Sequence, residues 1–364
     1  MKRIIVCCDG TWNEPEKLDP KESIATNVLN MSRAILPKAS NGTIQVIEYV
    51  RGIGTGNYFD HLLGGISGKG ISSNILQAYQ FISNNFQPGD EIYLFGFSRG
   101  AYTARSLSGF IYHFGILMKQ YQSVLPNMYR DYQKAITPDQ IRDAVTRYEG
   151  KIDRDLEKCY LTDRERRCIP IQFLGVWDTV GELGVPFGPF QRVNRERIHF
   201  HDTELAPNVD YAYHALAIHE YRKNFSPTLW TQCSARQKVE QVWFPGAHSD
   251  VGGGINERGL SNAALLWMAG RAKRAGLEMN DSYLKSFTPN PHAAVNDSRK
   301  GIYRTISPYA RLIGGCTLPE CKHESVVERF NHMPARVKGG RLSHEKTVDT
   351  ISLSLPYAVH PKYL

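Results

Sequence analysis

The 364-residue sequence predicts an α/β fold, in which a mostly parallel sheet has helices on both faces and helical insertions between some elements. Short apolar runs alternate along the chain with segments of helical periodicity, and this alternation is typical of β–α–β units. The run at Glu91–Phe97 is apolar almost throughout, as expected for a central strand covered on both faces. Apolar residues make up 41% of the chain, a share that excludes a disordered or collagen-like protein.

The first third of the chain alternates between strand and helix patterns. β-Branched and apolar runs predict strands, and apolar residues at helical spacing predict helices. The predicted strands are Lys2–Cys8, Thr43–Val50 and Glu91–Phe97, and the predicted helices are Ser23–Leu36, Ile71–Phe86 and Ala101–Phe114. The glycine-rich residues 52–70 are interpreted either as a lid or wall of a substrate pocket or as a surface loop.

The rest of the chain repeats this alternation after a charged segment at 127–168, which we interpret as a solvated helical insertion. The predicted strands here are Ile169–Trp177 and Val239–Phe244, and the predicted helices are Tyr211–Tyr221 and Leu260–Ala275. A shift in composition near residue 280 divides a core at 1–280 from a basic C-terminal region at 281–364, which we expect to pack on that core.

Positive charge is concentrated near the C-terminal end. The formal net charge is +8, and residues 299–364 contribute eleven lysines and arginines against five acidic residues. Such a region fits peripheral contact with an anionic membrane or a phosphorylated substrate, although an ordinary solvated surface has the same composition. No nucleic-acid partner is expected, because the chain has no recognised binding motif.

The beginning of the chain predicts a cytoplasmic protein. Residues 1–9 form a short strand that runs into an acidic turn without the cleavage site of a secretory signal, and no apolar run is long enough to span a membrane. The seven cysteines have no framework-like spacing, which favours folding in a reducing compartment. Export by a route that needs no signal peptide stays open.

The strongest functional signal is a G-x-S-x-G pattern between a predicted strand and a predicted helix, at Gly96-Phe97-Ser98-Arg99-Gly100. In this context the pattern is typical of a nucleophile elbow, a tight turn that exposes a serine hydroxyl, with glycines at 96 and 100 leaving room for the bend. The hydroxyl would lie at a helix N-terminus, which favours developing negative charge. The other interpretation is a helix-capping serine in a nucleotide-binding turn.

A serine nucleophile needs a base and an acid that orients the base. Asp178 and His248 each follow a predicted strand and complete the chain order Ser–Asp–His. Asp178 would hold the imidazole of His248, which would accept the proton of Ser98. The other eleven histidines are weaker candidates, since His214 and His219 fall in the predicted helix at 211–221.

Backbone amides are the predicted oxyanion donors: the N–H of Arg99, and a second from the turn at Gly10 or Thr11. Asp250 is expected to hydrogen-bond within the loop of His248. The serine mechanism requires no metal or other cofactor. The same sheet edge admits a second interpretation, a metal-dependent phosphoesterase with hard-metal ligands at Asp9, Asp178, His248 and Asp250.

Four segments resemble the DUF2235 family, which includes the catalytic domain of type VI secretion phospholipase effectors of the Tle1 type. The segments are Cys8–Asn13, Gly96–Arg105, Trp177–Gly181 and Phe244–Gly254, and a further similarity lies at His323–Arg329. The resemblance implies an α/β-hydrolase fold and a Ser–Asp–His triad at Ser98, Asp178 and His248. It also implies hydrolysis of acyl esters, often in phospholipids.

The sequence departs from the larger effectors in one respect. Those proteins have a membrane-docking region beyond the catalytic domain, for which 364 residues leave little room. We therefore predict a serine hydrolase that cleaves acyl esters, lipid or phospholipid, through an acyl-enzyme. A carboxylesterase for non-lipid esters and the metal-dependent phosphoesterase are the alternatives.

Overall fold

The computed structural model describes residues 1–10, 24–52, 68–135, 137–152, 169–180, 204–299, 301–305 and 307–332. Thr11, most of the glycine-rich stretch 52–70, the end of the charged segment 127–168 and residues 333–364 lie outside the described residues.

Seven strands form one sheet, and every strand pairing in the described part of the chain is parallel. The strands are β1 Arg3–Cys8, β2 Gln45–Val50, β3 Glu91–Phe97, β4 Ile171–Trp177, β5 Val209–Ala217, β6 Lys238–Phe244 and β7 Glu320–Lys322. Their spatial order is β2-β1-β3-β4-β5-β6-β7. The order reverses between β1 and β3, and such a switch point opens a crevice at the carboxyl ends of the strands.

Helices cover both faces of this sheet. The described α-helices are α1 Asn27–Ala34, α2 Gly68–Asn85, α3 Arg99–Phe114, α4 Leu125–Lys134, α5 Pro138–Thr146, α6 His248–Gly252, α7 Gly259–Arg274, α8 Asp281–Leu284 and α9 Glu324–His332. None of them is long and apolar enough to cross a membrane. Helices α4 and α5 lie at the charged segment, where a helical insertion was predicted.

Alternate side chains of each central strand enter different cores. In β1, Ile4 and Val6 pack with apolar side chains of α2 and α3, whereas Ile5 and Cys7 pack with those of α1 and α7. Successive side chains of a strand point to opposite faces, so a strand between two helical layers must be apolar at every position. These layers confirm the predicted α/β-hydrolase-like architecture.

The helix predicted at Tyr211–Tyr221 is wrong, because residues 209–217 form strand β5. This strand lies between β4 and β6, and its last six residues are buried. It ends in the short apolar run Ala215–Ala217, which periodicity alone does not distinguish from part of a buried helix. His214 therefore lies inside the sheet, and His219 follows the strand, where its Nδ1 accepts the amide of Gly246 at 2.8 Å.

The chain past residue 280 adds to the same sheet and core where the structure describes it. Strand β7 pairs with β6, and the indole of Trp243 donates to Glu320 at 2.6 Å. Ile313 and Val326 pack with Leu216 and Trp243 in a small apolar cluster. Sequence analysis missed β7 and α9, because three residues of strand and an isolated short helix give little periodicity.

Candidate active site

Ser98 lies on the turn between β3 and α3 in a strained backbone conformation. Its φ of 58° and ψ of −121° fall in a region that non-glycine residues rarely adopt. Its amide donates to the carbonyl of Trp177 at 3.1 Å, which ties the turn to the end of β4. The side chain is 8% exposed and makes no capping hydrogen bond to α3, which removes the support for a helix-capping role.

Two glycines flank Ser98 where the chain leaves no space for a side chain. A Cβ atom on Gly96 would lie 2.6 Å from the Cα of Ala101, and one on Gly100 would lie 2.6 Å from the carbonyl oxygen of Asp9. Both obstacles are backbone atoms, which cannot rotate away. Glycine at these positions therefore lets α3 begin in direct contact with the ends of β1 and β3.

Asp178 and His248 form a hydrogen-bonded pair on the same edge of the sheet. Asp178 follows β4 with a positive φ of 39°, and His248 is the first residue of α6, just past β6. Nδ1 of His248 lies 2.6 Å from Oδ2 of Asp178, and both side chains are buried. The imidazole also contacts the ring of Phe97, at 4.6 Å between centroids, which places it beside the turn of Ser98.

The structure thus brings Ser98, Asp178 and His248 to one edge of the sheet, where Asp178 and His248 are hydrogen-bonded to each other. Among the described contacts, no hydrogen bond links the hydroxyl of Ser98 to His248. The imidazole is held from behind by Asp178, so its Nε2 is the nitrogen left for a proton transfer.

Arg311, which the sequence did not identify as a site residue, hydrogen-bonds to the carboxylate of Asp178 through both terminal nitrogens. Nη1 donates to Oδ1 at 2.6 Å and Nη2 to Oδ2 at 2.9 Å, and the two side chains are completely buried. The amide of Ala217 also donates to Oδ1, at 3.0 Å. A lone arginine in an irregular segment gives no sequence signal for such a contact.

The charge of Arg311 determines the ionisation of this carboxyl group. Burial by itself would raise the pKa of Asp178, but the positive charge of Arg311 and hydrogen bonds from Arg311 and His248 outweigh it. The pKa of Asp178 is therefore well below its ordinary value, and the group is a carboxylate at neutral pH.

Glu220 is a second buried acid near the imidazole that sequence analysis missed. Its Oε2 accepts the backbone amide of His248 at 3.3 Å, and Arg222 donates to both of its oxygens at 2.8 Å. Burial would raise the pKa of Glu220, but the hydrogen bond and charge of Arg222 lower it. Glu220 holds the backbone of His248, whereas Asp178 holds the ring.

Asp9 organises the end of β1 with its carboxylate. Oδ1 accepts the amide of Gly10 at 2.6 Å, and Oδ2 accepts the hydroxyls of Thr26 at 2.6 Å and Tyr49 at 2.5 Å. Burial and the charge of Asp9 raise the pKa of Tyr49, so this phenol stays a donor. In this conformation the amide of Gly10 is already bonded, and Thr11 lies outside the described residues.

Asp250 has a local role, as its position two residues after His248 suggested. Its Oδ2 accepts the amides of Ala247 at 2.8 Å and Asn296 at 2.9 Å, which fixes the start of α6 against the following loop. Burial raises the pKa of Asp250.

The four residues of the metal-site interpretation do not converge. The carboxylates of Asp9, Asp178 and Asp250 each bond to different local donors, and Asp178 already faces a guanidinium cation. Within the described ranges, no group of three or more acidic, histidine or cysteine side chains is arranged to hold a metal ion. The donor sets therefore do not favour the metal-dependent phosphoesterase.

Arg99 brings a positive charge to the residue after Ser98. Its guanidinium is half-buried but makes no hydrogen bond or ion pair to the described part of the chain, and burial lowers its pKa to about 10. In contrast, Arg3, Arg271 and Arg311 are buried with carboxylate partners, and buried Arg105 donates to the carbonyl of Thr228. Arg99 is thus a cation, next to the candidate nucleophile, whose charge is unbalanced within this part of the structure.

Comparison with known proteins identifies relatives of this chain. Residues 2–271 match the family model described as T6SS, phospholipase effector Tle1-like, catalytic domain. Uncharacterized protein YEL023C of Saccharomyces cerevisiae is 28% identical over an alignment of 244 residues, and the match covers 63% of this chain and 33% of that protein. The chain spans about a third of the length of this curated relative.

Two solved structures are also similar. An uncharacterized protein from Pseudomonas aeruginosa has a TM-score of 0.41 and 16% identity, over 80% of this chain and 49% of that one. The Tle1 effector bound to the VgrG spike from the type VI secretion system has a TM-score of 0.37 and 19% identity. This match covers 70% of this chain and 51% of that one. The family match covers most of the chain, and the protein therefore belongs to the Tle1-like phospholipase effector family of type VI secretion, within its catalytic domain.

Proposed function

We propose that the protein hydrolyses acyl esters of phospholipids, with Ser98, His248 and Asp178 as a catalytic triad. Ser98 attacks the acyl carbonyl while His248 accepts its proton, and the imidazolium then protonates the leaving alcohol. Water, deprotonated by His248, releases the fatty acid from the acyl-enzyme and restores the serine. The observation that carries this proposal is the buried 2.6 Å contact between Asp178 and His248 beside the strained turn of Ser98.

The hydroxyl and the imidazole approach each other when substrate binds. Catalytic hydrogen bonds are often long in empty enzymes and shorten in the substrate complex. Here the ring of Phe97 packs against the imidazole, so the two catalytic loops are already in contact.

Backbone amides stabilise the oxyanion of the tetrahedral intermediate. Arg99 is the first residue of α3, so its N–H lies at the positive end of a 16-residue helix. The second donor is Gly10 or Thr11, in the turn after β1. Because the amide of Gly10 donates to Asp9 in the structure, its use for the oxyanion requires this local bond to break.

A phospholipid fits the charges around the site better than a neutral ester does. The family match indicates a phospholipase, and the unbalanced cation of Arg99 lies next to the nucleophile, where it can receive the substrate's phosphate. The basic region at 299–364 would add attraction to an anionic membrane.

Loss of the Ser98 hydroxyl tests the mechanism. Wild-type protein should react with a fluorophosphonate probe and release fatty acid from anionic phosphatidylglycerol vesicles, more rapidly at low than at high salt. Ser98→Ala should abolish both reactions. Ser108→Ala is the matched control, because Ser108 is a buried serine within α3, the helix that follows Ser98, and its hydroxyl donates to the carbonyl of Arg105. Equal turnover by Ser98→Ala and the wild type would refute the proposal.

A further inference from the structure

We propose that Arg311 is a positioning residue of the active site, which fixes the carboxylate of Asp178 in the orientation that directs its Oδ2 at Nδ1 of His248. This inference rests on the proposed function for its consequence in catalysis, but not for the geometry. The active site then includes a segment beyond residues 2–271, the part of the chain that matches the family model.

The guanidinium of Arg311 is itself fixed from two sides. Nη1 also donates to the carbonyl of Ala217 at 2.7 Å, and Nη2 to that of Phe225 at 2.5 Å. Ala217 is the last residue of β5, and Phe225 lies in the segment that follows this strand. Because each terminal nitrogen bridges a carbonyl and an oxygen of Asp178, the carboxylate plane cannot rotate without breaking several bonds. Its Oδ2 therefore stays directed at Nδ1 of His248.

The segment of Arg311 is anchored on both sides of this contact. The amide of Tyr309 donates to the carbonyl of Tyr221 at 2.9 Å, and Ile313 is buried in the apolar cluster with Trp243. Anchors on either side hold the arginine at a fixed depth, although the segment has no regular secondary structure. An arginine that makes two parallel hydrogen bonds from a fixed backbone orients a carboxylate more strictly than an arginine on a flexible segment does.

The two buried carboxylates near the imidazole of His248 each have a cationic partner. Asp178 is paired with Arg311, and Glu220 with Arg222. A third cation, Arg105, acts on the buried ring of His214. Burial and this positive charge lower the pKa of His214 well below its ordinary value, so that ring is neutral. Arg311 is thus the cation that balances the charge of Asp178.

Removal of Arg311 would leave the buried carboxylate of Asp178 without this cation. The carboxylate would then favour a proton on the imidazole that it contacts, so the variant should lose its uncharged base at a higher pH than the wild type does. The acidic limb of the rate profile should then move to higher pH. A residue with a merely structural role would lower activity by the same factor at every pH.

The test compares full-length variants over a range from about pH 5 to about pH 9, where histidine titrates. We expect Arg311→Met to move the acidic limb of kcat/KM, and of fluorophosphonate labelling, upward by about one pH unit or more. Arg311→Lys retains the charge but not the paired contact, so it should leave the limb in place and lower kcat/KM about tenfold. Arg271→Met is the control, because Arg271 is an equally buried arginine paired with Glu240.

Two outcomes would overturn the inference. One is an Arg311→Met profile that keeps its limb at the wild-type pH, as Arg271→Met should. The other applies if Arg311→Met does not fold: an Arg311→Lys variant whose kcat/KM equals that of the wild type would then overturn the inference. The low-field proton resonance of the Asp178–His248 hydrogen bond, followed against pH, gives the same comparison without turnover. Because this resonance reports on the hydrogen bond and not on turnover, it tests the role of Arg311 even if Ser98→Ala stays active and the proposed function fails.

Discussion

Replacement of Gly100 by alanine is the sharpest test of how α3 meets the sheet. The added Cβ would lie 2.6 Å from both the carbonyl carbon of Cys8 and the carbonyl oxygen of Asp9. Real Cβ atoms do not approach other atoms closer than 3.0 Å, so the start of α3 must move away from β1 by several tenths of an ångström. Overpacking against backbone on this scale should cost about 3 kcal/mol of unfolding free energy.

The same movement displaces Ser98, which is only two residues away. Misplacement of a reacting group by about 1 Å typically costs about a hundredfold in rate, and we expect fluorophosphonate labelling to fall by between tenfold and that factor. Urea denaturation followed by circular dichroism measures the stability, and labelling of the still-folded variant measures the displacement.

Gly270→Ala is the matched control, because this glycine lies within α7 and an added Cβ would meet nothing within 4 Å. Alanine is the better helix former, so this variant should be more stable than the wild type by about 0.5–1 kcal/mol and should label normally. If Gly100→Ala is as stable and as reactive as Gly270→Ala, the close approach of α3 to β1 is not a constraint on this protein.

Two further predictions concern charged groups of the site. Arg99→Gln should raise KM for anionic phospholipids about tenfold or more and leave hydrolysis of neutral acyl esters nearly unchanged. The reason is that only the charged substrate binds the guanidinium. Equal losses of activity on both substrates would contradict this role. Because the pKa of Asp178 is lowered in the folded state, its stabilising contribution is complete above about pH 5 and is lost as the pH falls. The difference in unfolding free energy between wild type and Asp178→Asn should therefore shrink from pH 5 toward about pH 2, and a difference constant with pH would show that the carboxylate is not stabilised by folding.

Prediction from sequence was most successful where the local sequence pattern and the tertiary environment favour the same secondary structure. Residues Glu91–Phe97 form a strand with the predicted bounds, since a strand buried on both faces is a continuous apolar run. Local pattern gave a wrong result at Tyr211–Tyr221, where a helix was predicted. There the alanines favour a helix locally, but hydrogen bonding to β4 and β6 outweighs that preference.

The chain order of motifs was enough to place Ser98, Asp178 and His248 on one edge, because each follows a parallel strand and parallel strands end at the same edge. Sequence alone therefore determined five of the seven described strands, the turn of Ser98 and the choice of candidate residues. Tertiary structure decided which groups complete the site: that Arg311 balances Asp178 and that Glu220 holds the backbone of His248. These contacts join distant parts of the chain, and a charged side chain shows no periodicity that would reveal which buried partner it meets.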